Sequence, residues 1–198
     1  MSNSTLRQTL RQQRNQLSPR QQQQAAEQIT AHIAQQTVFQ RSQRIAFYLA
    51  SNGEIDPATI MALAEAAGKS CYLPVLHPLK HNRLHFVRHN MGEPLQANCF
   101  GILEPKLTTS RIAPAWSLDL ILLPLVAFDS QGNRLGMGGG FYDRTLAFTR
   151  RTPRTGPQLL GLAHSFQQVA DIAQENWDIP LQSIVTEQGV ITPKHGTR

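Results

Sequence analysis

The sequence predicts an α/β fold of three layers, with a mostly parallel sheet between helices. From Arg44 onward short apolar runs alternate with helical segments, the pattern of strands joined by crossover helices. Leu118 to Leu123 is continuous and apolar, as in a strand buried on both faces. The length of 198 residues, 40% hydrophobic and 16% charged, suits one domain over 1–198 with one sizeable core. Residues 1–40 are expected to form basic helices packed on that core.

The N-terminal segment repeats Leu6, Leu10 and Leu17 near helical spacing, and Arg7, Arg11 and Arg14 share an adjoining stripe. Ser18, Pro19 and Gln21 read as a capped helix start, and Ala25, Ile29 and Ile33 give the second helix its core face. Ile45 to Ala50 is the first expected strand. Asp56-Pro57 opens a helix that ends at Gly68, and Cys71 to Leu76 resumes strand character. Leu84, Phe86 and Arg88 alternate as in a half-exposed strand, whereas residues 90–116 read as irregular surface chain. A helix from Phe141 to Arg151, a strand from Leu159 to Ala163 and a last strand from Ser183 to Ile191 complete the prediction.

The net charge is +6, and residues 1–44 hold +5 of it, six arginines against Glu27. Such asymmetry fits a solvated cationic face or a polyanionic partner. No apolar run approaches the roughly 20 residues of a membrane span, and the first residues lack a secretion signal's apolar stretch. A cytoplasmic protein with no membrane partner is expected. Cys71 and Cys99 have neither disulfide-scaffold nor zinc-site spacing, and they read as ordinary thiols.

The richest chemistry lies between Leu122 and Arg144, where a strand, a loop with Gly132, Gly136, Gly138, Gly139 and Gly140, and a helix follow one another. Glycines let a ligand approach the backbone and admit positive φ, so successive N–H groups can converge on an anion. The loop fits neither a Walker A sequence nor Gly-x-Gly-x-x-Gly, and a tight strand-to-helix connection would use the same residues. Asp143 in the first turn of the helix would repel phosphates unless a hard cation such as Mg²⁺ lay between, although it equally complements a helix dipole. Arg134 is placed to neutralise charge on a transferred phosphoryl group, or is a surface arginine. Glu54 follows the first strand, where open α/β sheets bind ligands. His77, His81, His85 and His89 recur every four residues, but Pro78 and the alternation around Phe86 argue against a metal-binding helix. No nucleophile signature is present.

The segment from Pro124 to Arg144, with Ala127-Phe-Asp, Gly132-Asn-Arg-Leu-Gly and Gly138-Gly-Gly-Phe-Tyr-Asp-Arg, resembles the signature of the 5-formyltetrahydrofolate cyclo-ligase family. The similarity extends through Tyr48-Leu-Ala-Ser-Asn-Gly-Glu54, Gly101-Ile-Leu-Glu-Pro105 and Trp177-Asp-Ile-Pro-Leu181. It implies a fold related to the sugar-isomerase and CoA-transferase group, and conversion of 5-formyltetrahydrofolate, with or without a polyglutamate tail, to 5,10-methenyltetrahydrofolate. ATP would be co-substrate and Mg²⁺ the metal.

By that resemblance, Arg134 and Tyr142 carry the catalytic role, and ATP meets Arg7, Arg11 and the run Arg134, Leu135, Gly136, Met137, Gly138, Gly139, Gly140, Phe141 and Tyr142. The folate meets Tyr48, Leu49, Glu54 and Met137 to Phe141, and Asp143 and Asp178 hold the metal. A monomer is expected, and no nucleic-acid partner, because the basic stripe lacks interleaved aromatics and no RNA-module signature appears. The chain departs from the family at Arg7, often Lys, and at Met137, Gly139 and Phe141, where relatives place cations and Tyr. The competing readings are a diverged ATP-dependent ligase acting on another formyl or carboxyl compound, and a basic RNA- or protein-binding module.

Overall fold

The computed structural model describes residues 2–150 and 156–193. Helix α1 (Asn3–Asn15) begins where the Ser2 hydroxyl accepts the Thr5 N–H, and it buries Leu10 and Arg14. Leu17, expected on the same helix, follows its end. The predicted capping box opens α2 (Pro19–Ala34): the Gln21 N–H donates to Ser18 Oγ and the Ser18 N–H to Gln21 Oε1. Ala25, Ile29 and Ile33 are buried as expected. A short α3 (Thr37–Arg41), which carries no periodic signal, turns the chain into β1 (Arg44–Ala46).

That first strand is shorter than the expected Ile45 to Ala50. The Phe47 N–H still reaches the Tyr72 carbonyl, but residues 48–50 make no backbone bond to a neighbouring strand, because the chain leaves the sheet for the loop carrying Glu54. Next come α4 (Ala58–Ala66), whose start Asp56 caps by accepting the Ala58 N–H, and β2 (Ser70–Leu76), which forms a hairpin with β3 (Leu84–Arg88). The stretch read as irregular contains β4 (Leu95–Ala97), β5 (Leu103–Pro105) and β6 (Ile112–Ala113). Strands of two or three residues are too short to leave a period in the sequence.

The apolar run becomes β7 (Leu120–Pro124). A ribbon of β8 (Ala127–Phe128) and β9 (Arg134–Leu135) precedes the glycines. The helix predicted from Phe141 to Arg151 is α5 (Phe141–Leu146) followed by a 3-10 turn from Ala147 to Arg150; Arg151 lies outside the described residues. After β10 (Gln158–Leu162), the expected last strand divides into β11 (Ser183–Thr186) and β12 (Gly189–Ile191), antiparallel across a turn at Glu187 and Gln188.

The main sheet runs β12-β11-β10-β7-β1-β2-β3-β6 and is mostly parallel, with antiparallel strands at its edges. On one face α2, α3 and α4 bring Ile29, Ile33, Phe39, Ile60 and Met61 against Ile45, Leu73, Leu120 and Leu122. On the other, Leu146 of α5 joins Ile179 and Leu181 over Ile121, Leu123 and Phe86, so that layer is largely irregular chain. The first helix covers the β8–β9 ribbon, where Leu10 meets Val126, Ala127, Leu135 and Ile172. Among the described residues no helix is long and apolar enough to cross a membrane.

From β1 the chain crosses to β2 on one side, and from β7 it crosses to β10 on the other. Adjacent parallel strands whose connections diverge leave a crevice beyond their carboxyl ends, where open α/β sheets bind ligands. The loops that open there follow Phe47 and Pro124.

The ribbon turn is held against the chain before β11: the Leu181 N–H donates to the Gly132 carbonyl at 3.1 Å, and Gly132 has φ +83°. A Cβ there would lie 2.9 Å from the Leu181 carbonyl oxygen. Gly132→Ala should therefore destabilise the protein by about 1–3 kcal/mol, seen as a lower urea midpoint; an unchanged midpoint would contradict this account of the turn.

Candidate active site

A cleft of about 540 Å³ opens at the crevice, within the range of roughly 300–1,000 Å³ usual for small-molecule sites. Every residue from Arg134 to Asp143 lines it, together with Tyr48, Leu49, Glu54, Arg7 and Asp178. Of the residues singled out in the sequence, Arg11 is not part of the lining.

The glycine-rich loop has an unusual hydrogen-bond state. None of the backbone N–H groups from Gly136 to Asp143 donates to another described protein group. Backbone donors are ordinarily paired, so a run of unpaired ones along a cleft is a receptacle for an acceptor-rich ligand. Side chains fix the loop from behind by taking its carbonyls. Arg7 Nε donates to the Gly136 oxygen at 2.8 Å, and Asn82 Nδ2 and Arg144 Nη1 donate to the Gly139 oxygen at 2.9 and 2.7 Å. In a trans peptide the N–H points opposite the carbonyl, so these contacts orient the N–H groups of Met137 and Gly140. Positive φ at Gly138 (+96°) and Gly140 (+63°) gives the path that only glycine follows without strain. At Gly139 a Cβ would lie 2.6 Å from the Phe141 ring, so any larger residue there requires that ring to move.

Arg134 and Asp143 close the loop on itself. Their side chains pair at 2.6 Å, Arg134 also donates to the Ile179 carbonyl, and the Ile179 N–H donates to Asp143 Oδ1 at 3.2 Å. The guanidinium expected to face a phosphoryl group is thus committed to Asp143 and Ile179, and Arg7 is the other arginine on the lining. The Tyr142 hydroxyl is pushed above its usual range by burial and the Glu54 charge, which makes it a hydrogen-bond donor rather than a base.

Both bonds to Asp143 fall on Oδ1, and Asp178 uses Oδ2 to accept the Glu175 N–H. Each aspartate keeps an oxygen without a protein partner, and both line the cleft. Among the described residues no group of three or more His, Cys, Asp or Glu could hold a metal, and the four regularly spaced histidines do not assemble: His77 and His85 stack at 4.2 Å on the β2–β3 hairpin. Two carboxylates with room for phosphate and water oxygens fit Mg²⁺, which commonly takes one or two protein carboxylates.

Arg7, Arg11 and Arg14 share one face of α1, as their spacing predicts, but that face is turned into the protein rather than to solvent. Arg14 is fully buried and donates from Nη1 to the Leu125 carbonyl at 3.0 Å, 3.8 Å from Glu54 Oε1. Its helix presses on the Glu54 loop so closely that a Cβ on Gly53 would sit 2.7 Å from the Arg14 carbonyl oxygen. Burial raises the Glu54 carboxyl above its usual value, opposed by the Ser51 N–H bond at 3.1 Å and by the Arg14 charge. Tyr48, whose hydroxyl donates to the Ile55 carbonyl at 2.6 Å, is raised well above the phenol range, chiefly by burial.

A further part of the lining was not foreseen. Leu76 and Leu84 of the β2–β3 hairpin, with Asn98, Phe100, Ile102 and Glu104 from the β4–β5 ribbon, complete the cleft. Phe100 and Trp177 are 63% and 62% exposed at its mouth, an apolar display that soluble proteins reserve for binding.

A profile of the 5-formyltetrahydrofolate cyclo-ligase family matches residues 1–187. A 5-formyltetrahydrofolate cyclo-ligase of Haemophilus influenzae is 40% identical over 180 residues, covering 91% of this chain and 95% of that protein. The chain belongs to the 5-formyltetrahydrofolate cyclo-ligase family. The cyclo-ligase of Escherichia coli K12 is 39% identical over 91% of this chain and 98% of its own. The solution structure of 5,10-methenyltetrahydrofolate synthetase from Aquifex aeolicus superposes with a TM-score of 0.82 at 29% identity, covering 100% of this chain and 96% of that one. A Mycoplasma pneumoniae 5,10-methenyltetrahydrofolate synthetase shares the fold, with a TM-score of 0.73 at 23% identity. The whole family-like segment from Arg134 to Asp143 lies on the cleft.

Removing one member of a buried pair strands the other. Arg14→Met should cost about 3–5 kcal/mol in urea unfolding, and Arg14→Lys, which keeps the charge, distinctly less. Equal midpoints for both variants would remove the Arg14–Glu54 pairing from the account.

Proposed function

We propose that this cyclo-ligase converts 5-formyltetrahydrofolate to 5,10-methenyltetrahydrofolate in this cleft, with ATP as co-substrate and Mg²⁺ as the metal. The single observation that carries the reading is the run of unpaired N–H groups from Gly136 to Asp143 along the cleft. It suits a triphosphate, and Arg7 adds a positive charge beside it.

In the reaction the formyl oxygen attacks the γ-phosphorus and ADP leaves, which turns the formyl oxygen into a phosphate leaving group. N10 then bonds to the formyl carbon, the C–O bond breaks, inorganic phosphate departs, and the N10 proton is lost as the methenyl bridge forms. No protein nucleophile is required, so positioning and electrostatics carry the catalysis. The loop N–H groups hold the phosphates, while Arg7 and Asn82 keep the loop's carbonyls turned away. Glu54 accepts from the donor-rich edge of the pterin, with Tyr48 and Leu49 along the ring. Tyr142 donates a hydrogen bond, and Arg134 acts as the clasp that aims Asp143. Asp143 and Asp178 would hold Mg²⁺, whose charge would offset that of the phosphates. A diverged ligase with another substrate would keep the loop and not the rest of the lining.

Pure protein with 5-formyltetrahydrofolate, ATP and Mg²⁺ should produce the methenyl chromophore, and no product despite bound ATP would overturn the reading. Asp143→Asn should lower kcat by about 10²-fold or more with little change in thermal midpoint. Near-normal turnover of that variant at limiting Mg²⁺ would remove the metal role.

A further inference from the structure

The cleft contains a second buried carboxylate for which the preceding account has no use. Glu104, on β5, is 8% exposed and lines the cleft. Its Oε2 accepts two protein donors, the Leu76 N–H at 3.1 Å and Asn98 Nδ2 at 3.0 Å. Its Oε1 accepts none, and that atom is not among the side-chain atoms sealed from solvent without a partner. For a residue this buried on the lining, the opening that reaches Oε1 is the cleft. No Lys, Arg or His pairs with the carboxylate among the described residues.

A buried carboxylate with one oxygen anchored and the other open is a fixed acceptor. Leu76, Leu84, Ile102 and Leu103 share the cleft lining with it and are apolar. A negative group here repels phosphate, so its ligand is the partner that is rich in N–H donors rather than the nucleotide's triphosphate.

We propose that Glu104 is a substrate-contacting residue whose Oε1 accepts a hydrogen bond from an N–H of the reduced folate. The inference rests on the folate reading of the cleft and extends it, for Glu54 and Glu104 then hold the substrate by two carboxylates from two different elements. A purely structural Glu104 would serve only to tie β5 to β2 through Leu76.

Glu104→Gln separates the two roles. The amide oxygen of glutamine still accepts from Leu76 and Asn98, whereas its NH₂ presents donors to the cleft where an acceptor stood. Calorimetry without nucleotide should show the Kd for 5-formyltetrahydrofolate rising at least tenfold in Glu104→Gln, with the Kd for ATP and the thermal midpoint unchanged. Wild-type affinity for the folate in this variant would overturn the proposal. If the variant unfolds, the wild-type protein supplies the measurement: the Glu104 carboxyl ¹³C resonance should shift on adding 5-formyltetrahydrofolate and stay in place on adding ATP, and a resonance unmoved by the folate would equally overturn it. Failure of the wild-type protein to bind the folate at all refutes the functional reading instead, which keeps the two claims apart.

Discussion

The architecture depends on the divergence of the chain beyond β1 and β7. These strands are hydrogen-bonded neighbours in the centre of the sheet, yet one continues to β2 and the other to β10. No crossover therefore covers their carboxyl ends, and the backbone there must find partners outside the sheet. In the loop after β9 it finds few: the carbonyls of Gly136 and Gly139 are taken by Arg7, Asn82 and Arg144, and the N–H groups around them are not taken by protein. Unpaired donors are costly when buried and useful when a ligand supplies the acceptors. The loop is thereby built to be completed by what it binds.

The basic N-terminal helix is an internal component of this arrangement. Three arginines at helical spacing invite a surface reading, but the first packs its guanidinium under the glycine-rich loop and the third lies wholly buried between Glu54 and the end of β7. Arg14 Nη1 meets a carboxylate and the Leu125 carbonyl, whereas Nε and Nη2 are buried without a hydrogen-bond partner among the described residues. One helix thus touches both loops that leave the switch point. Gly53, with no side chain to hold α1 away, is what lets the helix come that close.

Much of this was legible in the sequence because it rests on local physics. The capping box at Ser18, the apolar run of β7 and the glycines before Phe141 each specify a structure without distant partners. What escaped the sequence is set by tertiary contact. Strands β4, β5 and β6 are too short to show a period, and they exist because neighbouring chain offers a ladder. Glu104 stood in the sequence only as part of the family-like Gly101-Ile-Leu-Glu-Pro105 segment, and its anchoring by Leu76 and Asn98 is a tertiary contact. The helix after the glycines stops at Leu146, although its residues would allow more. Arg134 and Asp143 were separately legible as candidates, but nine residues of spacing gave no sign that they pair across the loop.

The polarity of the cleft explains how one small site can order two unlike ligands. On the loop side stand N–H donors and Arg7, with two aspartates that only a cation can reconcile with phosphate. The same lining also carries Glu54, Glu104 and apolar side chains, which favour a flat heterocycle bearing N–H groups. Reversing the ligands would set a triphosphate against carboxylates and a donor-rich ring against donors, so both orientations of error are disfavoured electrostatically. In the proposed reaction the two ligands meet near the Gly138 to Tyr142 turn, which lines the cleft. Rate enhancement by positioning requires little else from a chain without a nucleophile, provided that the turn is held rigidly. The Arg134–Asp143 clasp and the Arg7, Asn82 and Arg144 contacts supply that rigidity.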